Sequence, residues 1–525
     1  MKIAISRNTF NFLASLYFVC FLNIPFWSEI FKIIKASNTC DLLYVLSMFI
    51  CLSAVFTIAF NLILLPHIQK TVVTILSLIA IFATYNMYYF KVVISAEMIQ
   101  NVFETDIHEA TDLFSAKFGT WALLLGAPLF SLFFFNISNK TEVSSEIKSR
   151  LKAIIMAAFL IIIAAGISYK TIVVIHRNHR NLTSLVTPIN CFYYVGKFIK
   201  KHNAAPPTFT KIGQDAVKGT QWKNVTKKTV VVIVVGEAAR SGNFSLNGYA
   251  RETNPLLKKK NVISLRNVSA CATSTAEAVP GIFSRLPRKN YTPEKAAHEE
   301  NLLDVLSRIG FSIFWRDNNS SSKGVASRFK EENIRHLNQN DEALLNGLED
   351  YVKNIKTDSI IVLHQLGSHG PAYYKRYPKE FDKFRPGCNT NEIQSCKAPE
   401  LVNTYDNTIL YTDYILAKVI DLLEKNKNLN TAMIYVSDHG QSLGEFGIYL
   451  HGTPYMIAPK EQIHIPWIMW FSKSFSKEFS IDEKNLRVKE RAEYSHDNFF
   501  HSMLGLLGIE TQEYQKNLDI FKKEP

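Results

Sequence analysis

Three apolar stretches of this sequence end in side chains that can hold a proton or a metal ion. Thr229-Val-Val-Val-Ile-Val-Val-Gly-Glu237 runs from β-branched residues into a carboxylate. Ala432-Met-Ile-Tyr-Val-Ser-Asp438-His439-Gly440 ends in adjacent Asp and His, and Ser359-Ile-Ile-Val-Leu-His364-Gln-Leu-Gly-Ser-His369-Gly-Pro371 ends in two histidines. A further histidine follows in Tyr449-Leu-His451-Gly452. Carboxylate oxygen and imidazole nitrogen are donors that Zn²⁺ accepts. One strand-end histidine is ordinarily structural. Acidic and imidazole groups at the ends of three separate strands point further, because such ends converge in open α/β sheets.

A hydroxyl nucleophile would suit that set. Ser269-Ala-Cys-Ala-Thr273-Ser274-Thr275-Ala is rich in hydroxyls just before a predicted helix, whose length Pro280 leaves open. A threonine there ordinarily caps the helix, yet the position also turns backbone N–H groups toward an anion. A hydroxyl attacks poorly at neutral pH unless a metal lowers its pKa. Asp317-Asn-Asn-Ser-Ser-Ser-Lys323-Gly324 offers polar groups and one cation for a phosphate.

These residues require a scaffold of alternating strands and helices. Strands are predicted at 230–235, 311–315, 359–364, 432–437 and 466–471, with helical stretches such as 299–309 and 401–423 between them. The alternation predicts an α/β domain: a mostly parallel sheet sandwiched by helices. Cys388 and Cys396 flank a short polar loop and are expected to form a disulfide in an oxidising compartment.

The first third of the chain is different. The 525 residues are 47% hydrophobic, with a mean hydropathy of +0.01, and the excess lies before residue 176. Residues 10–31, 42–65, 72–90, 118–135 and 153–174 are each apolar enough to span a bilayer. The net charge of +13 would also suit nucleic acid, but no zinc-finger spacing or RNA-binding aromatic signature accompanies it. Lys2, Arg7, Lys70, Lys140, Lys148, Arg150 and Lys152 place the N-terminus and even-numbered loops in the cytoplasm. An odd number of spans then puts everything beyond residue 174 outside. The expected organisation is a five-helix transmembrane domain (1–175), a connector at the membrane surface (176–228) and an exported catalytic domain (229–525).

Taken together, Gly236-Glu237-Ala-Ala-Arg240 with Asn243-Phe-Ser-Leu-Asn-Gly-Tyr249, Cys271-Ala-Thr-Ser-Thr275-Ala, Gly367-Ser-His369-Gly-Pro371, Ser437-Asp438-His439-Gly440 and Leu450-His451-Gly452 form a distinctive set. They resemble the membrane-bound phosphoethanolamine transferases of Gram-negative bacteria, particularly the lipid A enzymes and the mobile colistin-resistance transferases. That family belongs to the alkaline phosphatase/sulfatase superfamily. The resemblance implies that Glu237, Thr275, Asp438 and His439 are zinc ligands, with Thr275 also the nucleophile. It implies that His369 and His451 bind substrate phosphate or a second zinc, and that Lys323 contacts phosphate. The outer loop Asn101-Val-Phe-Glu-Thr105-Asp-Ile-His-Glu109 resembles the family's lipid-contacting loop, which implicates Asn101, Thr105 and Glu109. Three departures stand out: Gly281 occupies a position where the family often has a second cysteine, the Asp317–Gly324 loop lacks a cysteine found in many members, and Gln441 stands where many members have Glu.

The expected activity is a two-step transfer in the bacterial inner membrane, with the catalytic domain in the periplasm. Phosphoethanolamine passes from phosphatidylethanolamine to Thr275 and then to a lipopolysaccharide acceptor, expected to be a lipid A phosphate, lessening attraction for cationic antimicrobial peptides. The alternatives are transfer to a core sugar, a zinc-dependent phosphodiesterase or sulfatase that uses water, and a non-enzymatic lipid-binding protein. No Cys/Ser-x-Pro-x-Arg context surrounds Thr275, which argues against a sulfatase.

Overall fold

The computed structural model describes residues 3–36, 42–104, 110–111, 113–137, 142–202, 209–337 and 339–522. The chain divides into two compact units, 1–99 with 114–202, and 100–113 with 203–525.

The first unit is helical. Leu42–Ile63, Gln69–Phe90 and Val143–Ile167 are long and apolar enough to cross a bilayer. Helix Ala116–Phe133, which contains Pro128, covers most of the fourth expected span. The first expected span is not one rod. It breaks into Arg7–Phe21 and Ile24–Ala36, with a 55° bend between them. Asn23 explains the break. Its Nδ2 donates to Phe18 O and Thr187 O, and its Oδ1 accepts from Thr187 N. A side chain inserted into the ladder and a proline at position 25, with no N–H to give, bend a helix. Large apolar side chains such as Leu123, Phe130, Ile155 and Ile162 point outward, the arrangement that lipid requires and water penalises.

The second unit holds an eight-stranded sheet. Its strands are β1 (Lys228–Gly236), β2 (Ile263–Ser269), β3 (Ser312–Asp317), β4 (Lys330–Asn333), β5 (Ser359–His364), β6 (Leu429–Ser437), β7 (His464–Phe471) and β8 (Tyr494–Ser495). Their spatial order is β8-β2-β7-β6-β1-β5-β3-β4. The central strand β1 is buried from Thr229 to Gly236. Successive side chains point to opposite faces, so both faces are covered, and each buried valine contributes roughly 1.5–3 kcal/mol relative to exposure. One face packs Val231, Ile233 and Val235 with Val279, Phe283, Leu303 and Phe499.

The sheet is mixed, which modifies the expectation. β7 runs antiparallel to both of its neighbours, β2 and β6. The connection from β6 into β7 is built of a small hairpin (Ser442–Leu443 with Tyr449–Leu450), short 3-10 turns and the four-residue helix Lys460–Ile463, with no long helix packed back along the sheet as a parallel crossover ordinarily has. The strands predicted within β1, β3, β5, β6 and β7 are present, and they bring the ends of β1, β5 and β6 side by side. Val235 pairs with both His364 and Val436, and Gly236 with Ser437.

Candidate active site

Glu237 follows β1 and is fully buried. Its Oε2 accepts hydrogen bonds from Thr275 Oγ1 at 2.9 Å and Asn319 Nδ2 at 2.8 Å. Burial, then the neighbouring Asp438, raises its pKa. The backbone around it is tightly constrained. Ala238 adopts a left-handed φ of 53°, an uncommon conformation for a residue with a Cβ. Its N–H donates to Asp438 Oδ1 at 3.1 Å.

Thr275 is the first residue of the helix Thr275–Phe283, and Ser274 takes the cap position. The helix continues through Pro280. Asp438 and His439 follow β6. His439 Nδ1 lies 2.8 Å from Gly440 O. A carbonyl only accepts, so Nδ1 carries the hydrogen and Nε2 presents a lone pair. That Nε2 stands 3.3 Å from Thr275 Oγ1, 3.4 Å from Glu237 Oε1 and 3.3 Å from Asp438 Oδ2. Glu237 Oε1 and Asp438 Oδ2 are buried and have no hydrogen-bond partner. Two unpaired carboxylate oxygens facing a lone pair leave a cost that a cation would remove. The donor set of Glu237, Thr275, Asp438 and His439 therefore fits a divalent metal such as zinc.

His451 lies at the side of this group. Ligand atoms of Glu237, His439 and His451 fall within 4.8 Å of one another. His451 Nδ1 is 2.9 Å from Gln441 Oε1, and Gln441 Nε2 donates to Tyr373 Oη at 2.7 Å. The amide oxygen therefore faces the imidazole, so Nδ1 is the protonated nitrogen of His451. Gln441 orients the histidine without adding a charge. The ring of His369 is 5.4 Å from that of His451. Burial drives His369 down to about 4 and His451 well below its ordinary value, so both rings are neutral near pH 7.

Lys323 lies on a different wall. It lines a cavity of about 490 Å³ with Ala276, Pro280, Ser320 and Arg328. Asn101 groups with the second unit, and its Nδ2 is 3.8 Å from where a Cβ on Gly452 would stand. Thr105 and Glu109 lie outside the described residues. Cys388 and Cys396 are joined by a disulfide. Cys271 is a free, buried thiol, and its Sγ occupies the space a Cβ on Gly281 would need.

Sequence reasoning missed Asn319. It bridges Glu237 Oε2 and Gln365 O. Its own loop is held by Asp317 Oδ1, which accepts from Asn319 N and Ser321 N, while Oδ2 accepts from Trp315 Nε1. The signal was a strand ending in Asp followed by two asparagines. Arg240 was quoted only as part of a motif. It reaches Asn243 Oδ1, Gln441 O and Glu445 Oε1, tying the loop after β1 to the loop after β6.

The chain matches the sulfatase family model over residues 229–509 and the phosphoethanolamine transferase EptA/EptB model over residues 52–203. It is 36% identical to phosphoethanolamine transferase EptA of Escherichia coli (strain K12), across 99% of this chain and 98% of that protein. It is 38% identical to phosphatidylethanolamine transferase Mcr-1 of Escherichia coli, across 78% and 79%. Among solved structures it is similar to the integral membrane protein lipooligosaccharide phosphoethanolamine transferase A (EptA) from Neisseria meningitidis, with a TM-score of 0.91, 33% identity and 100% of both chains covered.

Proposed function

The chain belongs to the phosphoethanolamine transferases of the EptA type, and we propose that it carries phosphoethanolamine from phosphatidylethanolamine to lipid A on Thr275. The observation that supports this reading is the convergence of Thr275 Oγ1, two unpaired carboxylate oxygens and one imidazole lone pair. A lipopolysaccharide acceptor is supported by two similar proteins, one named lipooligosaccharide phosphoethanolamine transferase A and one Kdo(2)-lipid A phosphoethanolamine 7''-transferase.

Glu237, Thr275, Asp438 and His439 would hold Zn²⁺, which when bound lowers the pKa of a hydroxyl and polarises a phosphoryl oxygen. Glu237 Oε2 receives the Thr275 proton along its hydrogen bond. Thr275 Oγ1 then forms the bond to phosphorus as the bond to the diacylglycerol oxygen breaks, and that oxygen leaves with the proton. Thr275 now bears a phosphoethanolamine ester. An oxygen of the acceptor phosphate attacks the same phosphorus, its proton passes to Glu237, and Thr275 Oγ1 departs, taking that proton back along the same hydrogen bond. His369, neutral in this setting, would offer an N–H to the phosphoryl oxygens, while His451, whose hydrogen faces Gln441, presents Nε2 as a lone pair that can take up a proton. The helix start at Thr275 adds backbone N–H groups beside the reacting phosphate.

The apolar helices of the first unit would anchor the chain in the membrane that holds its lipid substrates. The basic loops support an inner-membrane location with the catalytic unit in the periplasm, and the Cys388–Cys396 disulfide suits that compartment. Adding an ammonium group to lipid A offsets negative charge and so weakens attraction for cationic antimicrobial peptides. The deciding experiment is the mass of the Thr275 peptide from protein purified out of its own membrane. A phosphoethanolamine adduct on Thr275 is expected. An unmodified threonine in membranes depleted of acceptor, with zinc bound, overturns the reading.

A further inference from the structure

His496 is fully buried and lies outside every motif used above. It sits between the short strand β8 and the helix Asp497–Leu506. Its ring spans the two loops that carry the reacting groups. Cys271 N donates to His496 Nδ1 at 3.1 Å, and His496 Nε2 lies 3.0 Å from Ser437 O. Cys271 is four residues before Thr275, and Ser437 immediately precedes Asp438. The partners dictate the proton. An amide N–H only donates and a carbonyl only accepts, so the ring is neutral with its hydrogen on Nε2. A third bond fixes the residue's backbone, with His496 N donating to Ser269 O at 3.0 Å. The Sγ of Cys271 also lies 3.4 Å from Nδ1.

The two loops are also joined at Thr273, whose O accepts from Gly452 N at 2.8 Å and whose Oγ1 donates to Thr453 O at 2.7 Å, but those bonds meet the second loop well past His439 and not at Ser437. The nucleophile loop leaves β2, and Ala270 N is bonded to Ile463 O. The metal-ligand loop leaves β6, with Asp438 N bonded to Gly236 O. β7 separates β2 from β6 in the sheet. The imidazole crosses that interval and joins the two ends by backbone groups, which side-chain substitutions other than proline at position 271 leave in place. A shift of an ångström in such a geometry is enough to change a rate about a hundredfold.

We infer that His496 is a positioning residue, which sets the distance between Thr275 and the Asp438–His439 pair by bridging Cys271 N and Ser437 O. This rests on the proposed Thr275 adduct.

The test follows formation of the phosphoethanolamine–Thr275 adduct by mass spectrometry in the full chain, purified in detergent and mixed with phosphatidylethanolamine vesicles. His496→Leu removes both bonds, and His496→Asn keeps an acceptor for Cys271 N–H. His501→Leu is the control, since His501 is equally buried on the same helix but accepts from Gln515 N in the C-terminal segment. Below the melting temperature of every variant, His496→Leu is expected to slow adduct formation at least tenfold with half-saturating lipid changed less than twofold. His496→Asn recovers at least threefold of that loss while staying slower than wild type, and His501→Leu forms adduct at the wild-type rate. If His496→Leu slows the step no more than His501→Leu does, or if half-saturating lipid rises in proportion to the loss, the positioning role is overturned. If His496→Leu does not fold, an Asn variant as fast as wild type with Ser437 O left unpaired overturns it equally. Absence of adduct in the wild-type protein would instead reject the parent reading.

Discussion

Thr275 Oγ1 lies 2.9 Å from Glu237 Oε2, although the two residues come from different strands' exits and are 38 positions apart. Glu237 Oε2 is also held by Asn319, so the carboxylate cannot rotate away from the hydroxyl without losing two bonds. The hydroxyl proposed as nucleophile and the carboxylate proposed to take its proton are therefore set before any lipid arrives, which is the condition under which orientation lowers a barrier.

Thr275→Ala removes the only hydroxyl in that contact and a single small group from the helix start. Transfer to lipid should fall by at least about a thousandfold, as for other covalent nucleophiles, while the melting temperature changes little. Thr275→Ser keeps the oxygen and should retain measurable transfer. Lipid A analysed by mass spectrometry gives the readout. Activity in the alanine variant within tenfold of wild type would reject Thr275 as nucleophile.

Removing divalent metal should act on both stability and turnover. Glu237 and Asp438 are buried beside each other, and burial with mutual repulsion raises the Glu237 carboxyl. Zinc held there offsets that repulsion and, at a hundred times its dissociation constant, stabilises the fold by about 2.7 kcal/mol. Chelation should lower the melting temperature and abolish transfer, and added Zn²⁺ should restore both. Asp438→Asn should show the lower melting temperature without any further response to chelator.

Much of this site could be read from the chain because apolar runs of β-branched residues end at Glu237, Asp438 and His364, and such ends meet in one place. Asn319 and His496 could not be read that way. Each acts through a hydrogen bond to a residue or backbone group far away in sequence, so that the Asp-Asn-Asn run marks a loop at Asn319 without telling which side chain it reaches. The direction of β7 was equally hidden, since the residues of Pro466–Phe471 fit a parallel or an antiparallel strand. The break in the first helix came from Asn23, whose partner Thr187 lies 164 residues away.

Gly367 provides a test of how closely the Glu237 backbone is packed. Its φ is +52°, and a Cβ there would stand 2.7 Å from Glu237 O and 3.2 Å from Glu237 Cβ. Gly367→Ala combines a strained left-handed conformation with a clash against the strand end. A destabilisation of about 1–3 kcal/mol is expected, together with a loss of transfer larger than that of any equally destabilised variant remote from Glu237. Equal losses in the two would place Gly367 outside the machinery.

The Cys388–Cys396 bridge closes a short loop, with a sequence separation of 8. Cys388 N also donates to Glu400 O and to Thr404 Oγ1, so the bridge secures the start of the helix Ala398–Lys425. Replacing both cysteines by serine should cost about 2–3 kcal/mol by loop-closure entropy. Transfer at low temperature should persist, because no atom of this loop contacts Thr275 or its partners among the described residues. Loss of transfer in a folded double variant would assign the loop a direct part in the reaction.

Asp413 should make the fold more stable in mild acid than at neutral pH. It is fully buried on the same helix and accepts from Leu256 N at 2.9 Å and Leu257 N at 3.0 Å. Burial raises its pKa from 3.8 to about 7, against the lowering effect of those two bonds. The unfolded chain releases this proton near pH 4 and the folded chain keeps it to about pH 7. Unfolding therefore releases a proton within that window, and stability falls as pH rises through it. Above about pH 7 both states are ionised and the slope from this group ends. Asp413→Asn cannot ionise, so it removes the slope at the cost of one acceptor, about 1 kcal/mol. Melting temperatures from pH 4.5 to 8 should decline more steeply for wild type than for the variant, the curves crossing below pH 7 so that the variant is the more stable at neutral pH. Parallel curves would mean that the two backbone N–H bonds outweigh burial and that Asp413 is ionised throughout.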